Sequence, residues 1–222
     1  MQVERYLGED ELERVRSAVA AAEQRTSGEI VTYLVGRCDS YPESPLRAGI
    51  VGGAVTLAAS MLVFLFAPLW ISFSSEAGFA LVLAAPVLIG ALCAGVCAAS
   101  ERLQRLLLDR SDLEHRVRQR AEAAFLEQEV FATRERTGVL LFLALFERRA
   151  VVLADSGIAA RLPESAWREV VDELCGGMRR GEVAASLERA VDRVAALLEG
   201  AGVERRPDDE QELTDRPTVR ER

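Results

Sequence analysis

The sequence predicts an α/β chain: a three-layer α/β/α domain with a small mixed sheet, interrupted by a two-helix transmembrane hairpin. Three observations predict it. Short β-branched, apolar segments occur near residues 29–35, 138–146 and 149–155 and read as strands, the first apolar on both faces and so buried. Stretches with helical periodicity stand before and after them. Between the first strand and the others lie two long runs with almost no charge.

Residues 9–25 read as an amphipathic helix, with Leu12, Val15, Val19 and Ala22 on one face. Glu9, Asp10 and Glu11 fill its first turn, where carboxylates favour the helix dipole. Thr26-Ser27-Gly28 stops it, and Glu29–Val35 is the first strand.

Ala48–Ser75 is a charge-free run of 28 residues, and Ala77–Ser100 another of 24, with Glu76 between them. A helix crossing the hydrocarbon layer needs about 20 apolar residues. The helices are placed at about 48–70 and 79–99, with Pro68 near the end of the first and a polar turn over Ile71–Gly78. Trp70 and Phe73 lie near that turn, at headgroup level. The soluble alternative, two buried core helices, fits poorly with two adjacent runs of this length in 222 residues. Gly49 and Gly53 form a G-x-x-x-G, and Gly90, Ala91, Ala94, Gly95 and Ala98 follow in the second helix. A helix-packing face and ordinary Gly/Ala usage both account for them.

Arg47 precedes the hairpin, Arg102, Arg105 and Arg110 follow it, and the inner loop holds no Arg. Positive residues stay cytoplasmic. The expected location is therefore the inner (cytoplasmic) membrane, multi-pass, with both termini cytoplasmic and no signal peptide. Arg116, Arg118 and Arg120 extend the basic stretch, which reads as a topology signal and as a surface for anionic headgroups.

Residues 101–133 read as a long helix with Leu113, Val117, Ala121, Ala124, Phe125 and Gln128 on one face. A break is expected near 109–111, where Ser111 and Glu114 match a capping box. Gly138–Phe146 and Arg149–Asp155 form an antiparallel hairpin if Glu147-Arg148 is its turn. Pro163 opens a helix carrying Trp167, Val170, Leu174 and Met178. Gly181 separates it from a last helix with Val183, Leu187, Val191, Val194 and Leu198 inward. The strands at 29–35 and 138–146, linked through a helix, should be parallel neighbours. Segments 1–45 and 101–203 thus make one domain around a hairpin at 46–100. Residues 204–222, charged and holding Pro207 and Pro217, read as a flexible tail.

The net charge of -8 disfavours a nucleic-acid partner. All 27 basic residues are Arg. Cys38, Cys93, Cys97 and Cys175 form no C-x-x-C, and with one His, His115, there is no zinc pattern.

Thr26-Ser27-Gly28-Glu29-Ile30-Val31, Arg136-Thr137-Gly138-Val139-Leu140-Leu141, Asp155-Ser156-Gly157-Ile158 and Leu162-Pro163 together resemble the TPM domain. This family includes thylakoid acid-phosphatase and photosystem II repair proteins. The chain looks most like its bacterial subgroup with a membrane hairpin inside the domain, sharing Glu147-Arg148, Trp167 and a Pro-Asp-Asp tail. The resemblance implies a loop-rimmed crater that holds calcium or magnesium in some members, and a proposed phosphatase activity.

With a Glu147-Arg148 turn, opposed residues sum to 295, so Leu140 faces Asp155. One sheet edge then gathers a candidate crater rim: Thr26, Ser27, Arg136, Thr137, Asp155 and Ser156. The family's common Asp-Asn-Gly is replaced here by Arg136-Thr137-Gly138. A hard divalent cation needs several oxygen ligands, usually with carboxylates. An Arg136–Asp155 ion pair is expected instead, and no metal or other cofactor. No G-x-S-x-G, P-loop or C-x5-R pattern supplies a nucleophile. Asp39 and Glu147 are expected at the opposite edge, as ordinary loop acids. Two functions follow: a membrane-anchored binding or accessory module for a protein partner, or a weak metal-assisted phosphate-ester hydrolase. The bilayer and an unidentified protein are the expected partners.

Overall fold

A computed structural model describes residues 7–66, 76–203, 205, 213 and 217–221. The expected turn at 71–78 falls mostly outside these residues. The chain forms two compact units, residues 1–39 with 113–222, and residues 40–112.

The first unit holds a four-stranded sheet in the order β3-β2-β1-β4. Its strands are β1 (Ile30–Val35), β2 (Val139–Ala144), β3 (Arg149–Ala154) and β4 (Thr218–Arg220). β1 and β2 are parallel, Ile30 opposite Val139 through Val35 opposite Ala144. Both are buried along their whole length, as a strand covered on two faces must be. Ile30, Leu34, Val139, Leu141 and Leu143 point to one face. There they meet α1 (Glu9–Glu23) and, after the one-turn helix α6 (Ser156–Ala159), α7 (Glu164–Arg180) and α8 (Val183–Gly200). Val31, Tyr33, Val35, Leu140 and Phe142 point to the other, against Val117, Ala121 and Ala124 of α5 (Arg110–Glu127). Tyr33 stacks on Phe142 with ring centroids 5.5 Å apart. The period of two in the strands thus produces the three layers directly.

Helix ends follow local chemistry. The Glu11 carboxylate accepts from the Gly8 amide and starts α1. Gly181, at φ 79°, ends α7 in the left-handed region that glycine enters freely. The inward residues expected of α7 and α8 are buried, except Trp167, which is half-buried.

The structure departs from the sequence reading in four places. The expected break in the helix over 101–133 is present and separates α4 (Glu101–Leu107) from α5, but α5 ends at Glu127 and a 3-10 turn at Val130–Ala132 follows. Leu108 is extended between the two helices, and the Asp109 carboxylate accepts from the Ser111 amide at 2.9 Å, so Asp109 rather than Ser111 supplies the cap. The β2–β3 pairs sum to 293, not 295: Leu140 faces Leu153, and Asp155 faces Gly138. Leu145–Arg148 forms a four-residue loop, because the Leu145 and Phe146 amides stay bonded to Val35 and Gly36 of the β1 side. A shift of two leaves every side chain on its expected face. Pro163 caps α7 from just outside its first turn. The fourth departure is in the charged tail, where β4 pairs in parallel with Tyr33–Val35. A three-residue strand held by backbone bonds carries no apolar pattern to betray it.

The second unit contains α2 (Glu43–Phe66), α3 (Glu76–Ala99) and α4. Glu43–Val63 and Val82–Ala99 are long and apolar enough to cross a membrane. Gly49, Gly53 and Gly90 bring α2 and α3 together: a Cβ on Gly49 would stand 3.2 Å from the Gly90 carbonyl, and one on Gly53 3.2 Å from that of Pro86. The G-x-x-x-G is therefore a packing face inside the hairpin. Gly95 has nothing within 4 Å of a Cβ and lies off that face.

Deleting residues 217–222 should free the Gly36 amide, which bonds to the Arg220 carbonyl at 2.9 Å. Its hydrogen exchange should accelerate about ten-fold or more, while the β1–β2 amide of Val139 is unchanged. Equal acceleration at both amides would show that β4 supports the whole sheet rather than one edge.

Candidate functional site

The candidate rim forms at one end of the sheet, where β1 and β2 begin and β3 ends. The parallel pairing carries this juxtaposition: the Val139 amide bonds to the Glu29 carbonyl at 2.8 Å. The antiparallel hairpin adds the third arm, with the Asp155 amide on the Gly138 carbonyl at 2.9 Å.

Three glycines close the rim loops. A Cβ on Gly138 would fall on the Val130 carbonyl, and one on Gly157 on the carbonyls of Glu135 and Arg136. One on Gly28 would stand 2.6 Å from the Leu198 side chain and 3.3 Å from the Thr137 carbonyl. These are the glycines of the three Ser-Gly and Thr-Gly motifs. Their role is close backbone approach, which the sequence reading used as a signature without a physical reason.

The polar side chains of the rim are largely taken up by backbone groups and by one ion pair. Thr26 Oγ1 donates to the Val203 carbonyl at 2.6 Å and accepts from the Gly28 amide at 3.1 Å. Thr137 Oγ1 donates to the Ser27 carbonyl at 3.2 Å, and the Thr137 amide donates to Thr133 Oγ1 at 2.9 Å. Asp155 is buried, and its Oδ1 accepts from the Ser156 amide at 2.6 Å. Its Oδ2 lies 3.0 Å from Arg136 Nε, so the expected ion pair forms. The guanidinium approaches off its N–H axis, which makes this an ionic contact rather than a directed hydrogen bond. Arg136 also donates to the Phe131 carbonyl at 3.0 Å and sits at φ 59°. Its side chain is 52% exposed, so solvent screens the pair and its contribution to stability is small. Arg136 and Ser156 face solvent; Thr26 and Thr137 are buried; Ser27 is half-buried.

The opposite edge holds the other acids. Asp39 pairs with Arg116 at 2.6 Å. Glu147 is buried and accepts from the Cys38 amide at 2.9 Å. Burial pushes the Cys38 thiol well up, with the Glu147 carboxylate adding to it, and burial also raises Cys175. Neither is poised as a thiolate nucleophile. His115 is exposed on α5.

The six arginines expected at a membrane surface divide. Arg116 is taken by Asp39 and Arg118 by Glu122. Arg120 pairs with Glu127 and reaches the Tyr33 hydroxyl at 2.5 Å. Burial raises the Tyr33 phenol, against the opposing pull of Arg120. Arg105 sits 3.8 Å from Glu101. Arg102 and Arg110 are exposed.

The rim does not fit a hard divalent cation. It offers one carboxylate, with a backbone amide on one oxygen and a guanidinium at the other. Among the described residues no group of three or more His, Cys, Asp or Glu could hold a metal ion.

Gly138→Ala should lower stability by about 2–4 kcal/mol, because the obstruction is backbone and cannot swing away. Gly200→Ala, where a Cβ meets nothing within 4 Å, should be neutral or slightly stabilising. Thermal midpoints of the two variants check the contrast, and equal midpoints would remove the packing account of the rim glycines.

Residues 106–197 match the family model described as the TPM domain. The Thr26–Val31 motif lies outside that match. The NMR structure of BA42 protein from the psychrophilic bacterium Bizionia argentinensis is similar in fold, with a TM-score of 0.56 at 16% identity. The alignment covers 96% of this chain and 94% of that one. No curated protein matches. A mixed sheet between helical layers and a structural neighbour along nearly the whole length agree on the fold, and within that fold residues 106–197 match the TPM domain.

Proposed function

We propose that the chain is an inner-membrane protein whose TPM domain is cytoplasmic and acts as a binding or accessory module for a protein partner in a membrane complex. The observation that carries this reading is the occupation of Asp155. Its two oxygens are engaged by the Ser156 amide and the Arg136 guanidinium. A metal-assisted hydrolase would need that carboxylate for its cation. The outward face of the rim instead presents a partly exposed guanidinium and the Ser156 hydroxyl, a donor-rich surface suited to a carboxylate-bearing partner segment.

The membrane part of the proposal rests on α2 and α3. Their outward side chains include Ile50, Leu57, Met61, Leu65, Leu83, Leu88 and Leu92, all more than half exposed. Exposed apolar surface on this scale is costly in water and matched to lipid. Arg47, Arg102, Arg105 and Arg110 flank the hairpin and support cytoplasmic flanks.

Assay of the full chain against a panel of phosphate esters, with and without magnesium or calcium, should give no turnover. Co-purification from membranes should recover a partner whose yield falls several-fold in Arg136→Ala. Turnover that Asp155→Ala abolishes would replace this reading with the hydrolase. For topology, reporter fusions at Met1, Glu76 and Arg222 should read cytoplasmic, periplasmic and cytoplasmic; a periplasmic reading at Arg222 would refute the orientation.

A further inference from the structure

The short helix α4 is built the wrong way round for a segment in water. At 79% exposure, Leu106 is the most exposed large apolar residue described, and Leu103 is 39% exposed. Polar Gln104 is only 6% exposed. Arg102, Leu103 and Leu106 fall within about 100° of one another around the helix, and Gln104 lies outside that arc. A helix that solvates a leucine face and buries an amide has its polarity inverted relative to a soluble amphipathic helix.

The inversion is fixed in place by hydrogen bonds within the hairpin unit. Ser100 is extended at φ −121°, ψ 106°, so α4 is not a continuation of α3. Gln104 Nε2 donates to the Ala98 carbonyl at 2.8 Å. Ser44 Oγ donates to the Gln104 carbonyl at 3.1 Å, and Arg47 donates to that of Leu107 at 3.0 Å. These bonds tie α4 by one side to the base of α2 and α3 and leave the leucine side outward. Arg102 lies on the outward arc, and Arg110 is exposed just after the helix.

We propose that α4 is an interfacial helix. Leu103 and Leu106 enter the acyl–headgroup boundary of the same bilayer that α2 and α3 cross, and Arg102 and Arg110 meet lipid phosphates. The occupant is a lipid surface because α4 follows directly on a helix of membrane-spanning length. It also sets its apolar face beside the exposed guanidinium groups of Arg102 and Arg110, which have no ion-pair partner among the described residues, the chemistry of a phospholipid boundary. This inference rests on the membrane reading above.

The test uses the full chain in phosphatidylcholine–phosphatidylglycerol vesicles. An environment-sensitive fluorescent amino acid replaces Leu106 in one preparation and Leu88 of α3 in another. Quenching is compared between lipids with a nitroxide near the headgroup and lipids with one near the chain end. Position 106 should be quenched about two-fold more by the shallow label, and position 88 more by the deep one. Arg102→Gln with Arg110→Gln should reduce the shallow quenching at 106 and leave 88 unchanged. A water-exposed 106 beside a deep 88 overturns the interfacial helix and leaves the hairpin standing. A 106 shielded from water yet untouched by either quencher assigns this face to a second copy or a protein partner, and also overturns it. A water-exposed 88 refutes the membrane reading, and this inference with it.

Discussion

The parallel pairing of β1 with β2 is the constraint on which the domain depends. The two strands lie on opposite sides of the inserted hairpin in the sequence, yet they form the centre of one sheet. Their shared register sets which side chains face α1, α7 and α8 and which face α5. It also brings the loops at 26–28 and 136–138 to one end of the sheet, and the β2–β3 hairpin adds Asp155. A slip of one residue would reverse both faces. Continuous burial of both strands makes that slip expensive, since each carries large apolar side chains on both sides.

At the rim, backbone shape and side-chain chemistry are set by different residues. The glycines at 28, 138 and 157 preserve the close backbone approach that shapes the end of the sheet. The residues between them determine what that shape can hold. With Arg at position 136, positive charge stands beside the buried Asp155 carboxylate. The glycines set the shape of this end of the sheet, and the charged residues between them set its electrostatics.

Most of this was legible because it rests on period and composition. β1, β2 and β3 declare themselves as short apolar runs, α7 and α8 as amphipathic stripes, and α2 and α3 by length. The parallel and antiparallel pairings follow from connection lengths, and the Arg136–Asp155 pair follows from that pairing. What escaped was set by tertiary backbone bonds. The hairpin loop is four residues long because Leu145 and Phe146 bond to the β1 side, which no local pattern records. β4 consists of Thr218, Val219 and Arg220 in a charged, proline-containing stretch, and only its pairing makes it a strand. Trp167 and the rim glycines were noticed as family marks. The packing reason for the glycines requires knowing that Val130 and Leu198 lie against them.

Placing β1 before the apolar helices α2 and α3 and β2 after them also imposes an order of events during synthesis. Val35 and Val139 are separated by 103 residues. At ribosomal rates of about 5–20 residues per second, β1 waits about 5–20 s for its first partner. It is apolar on both faces for all of that time. Whatever accompanies the nascent chain while α2 and α3 emerge must also shield this strand. Assembly of the domain is thereby placed downstream of handling the hairpin, so a chain stalled at that stage would expose a six-residue β-rich segment of the kind that aggregates.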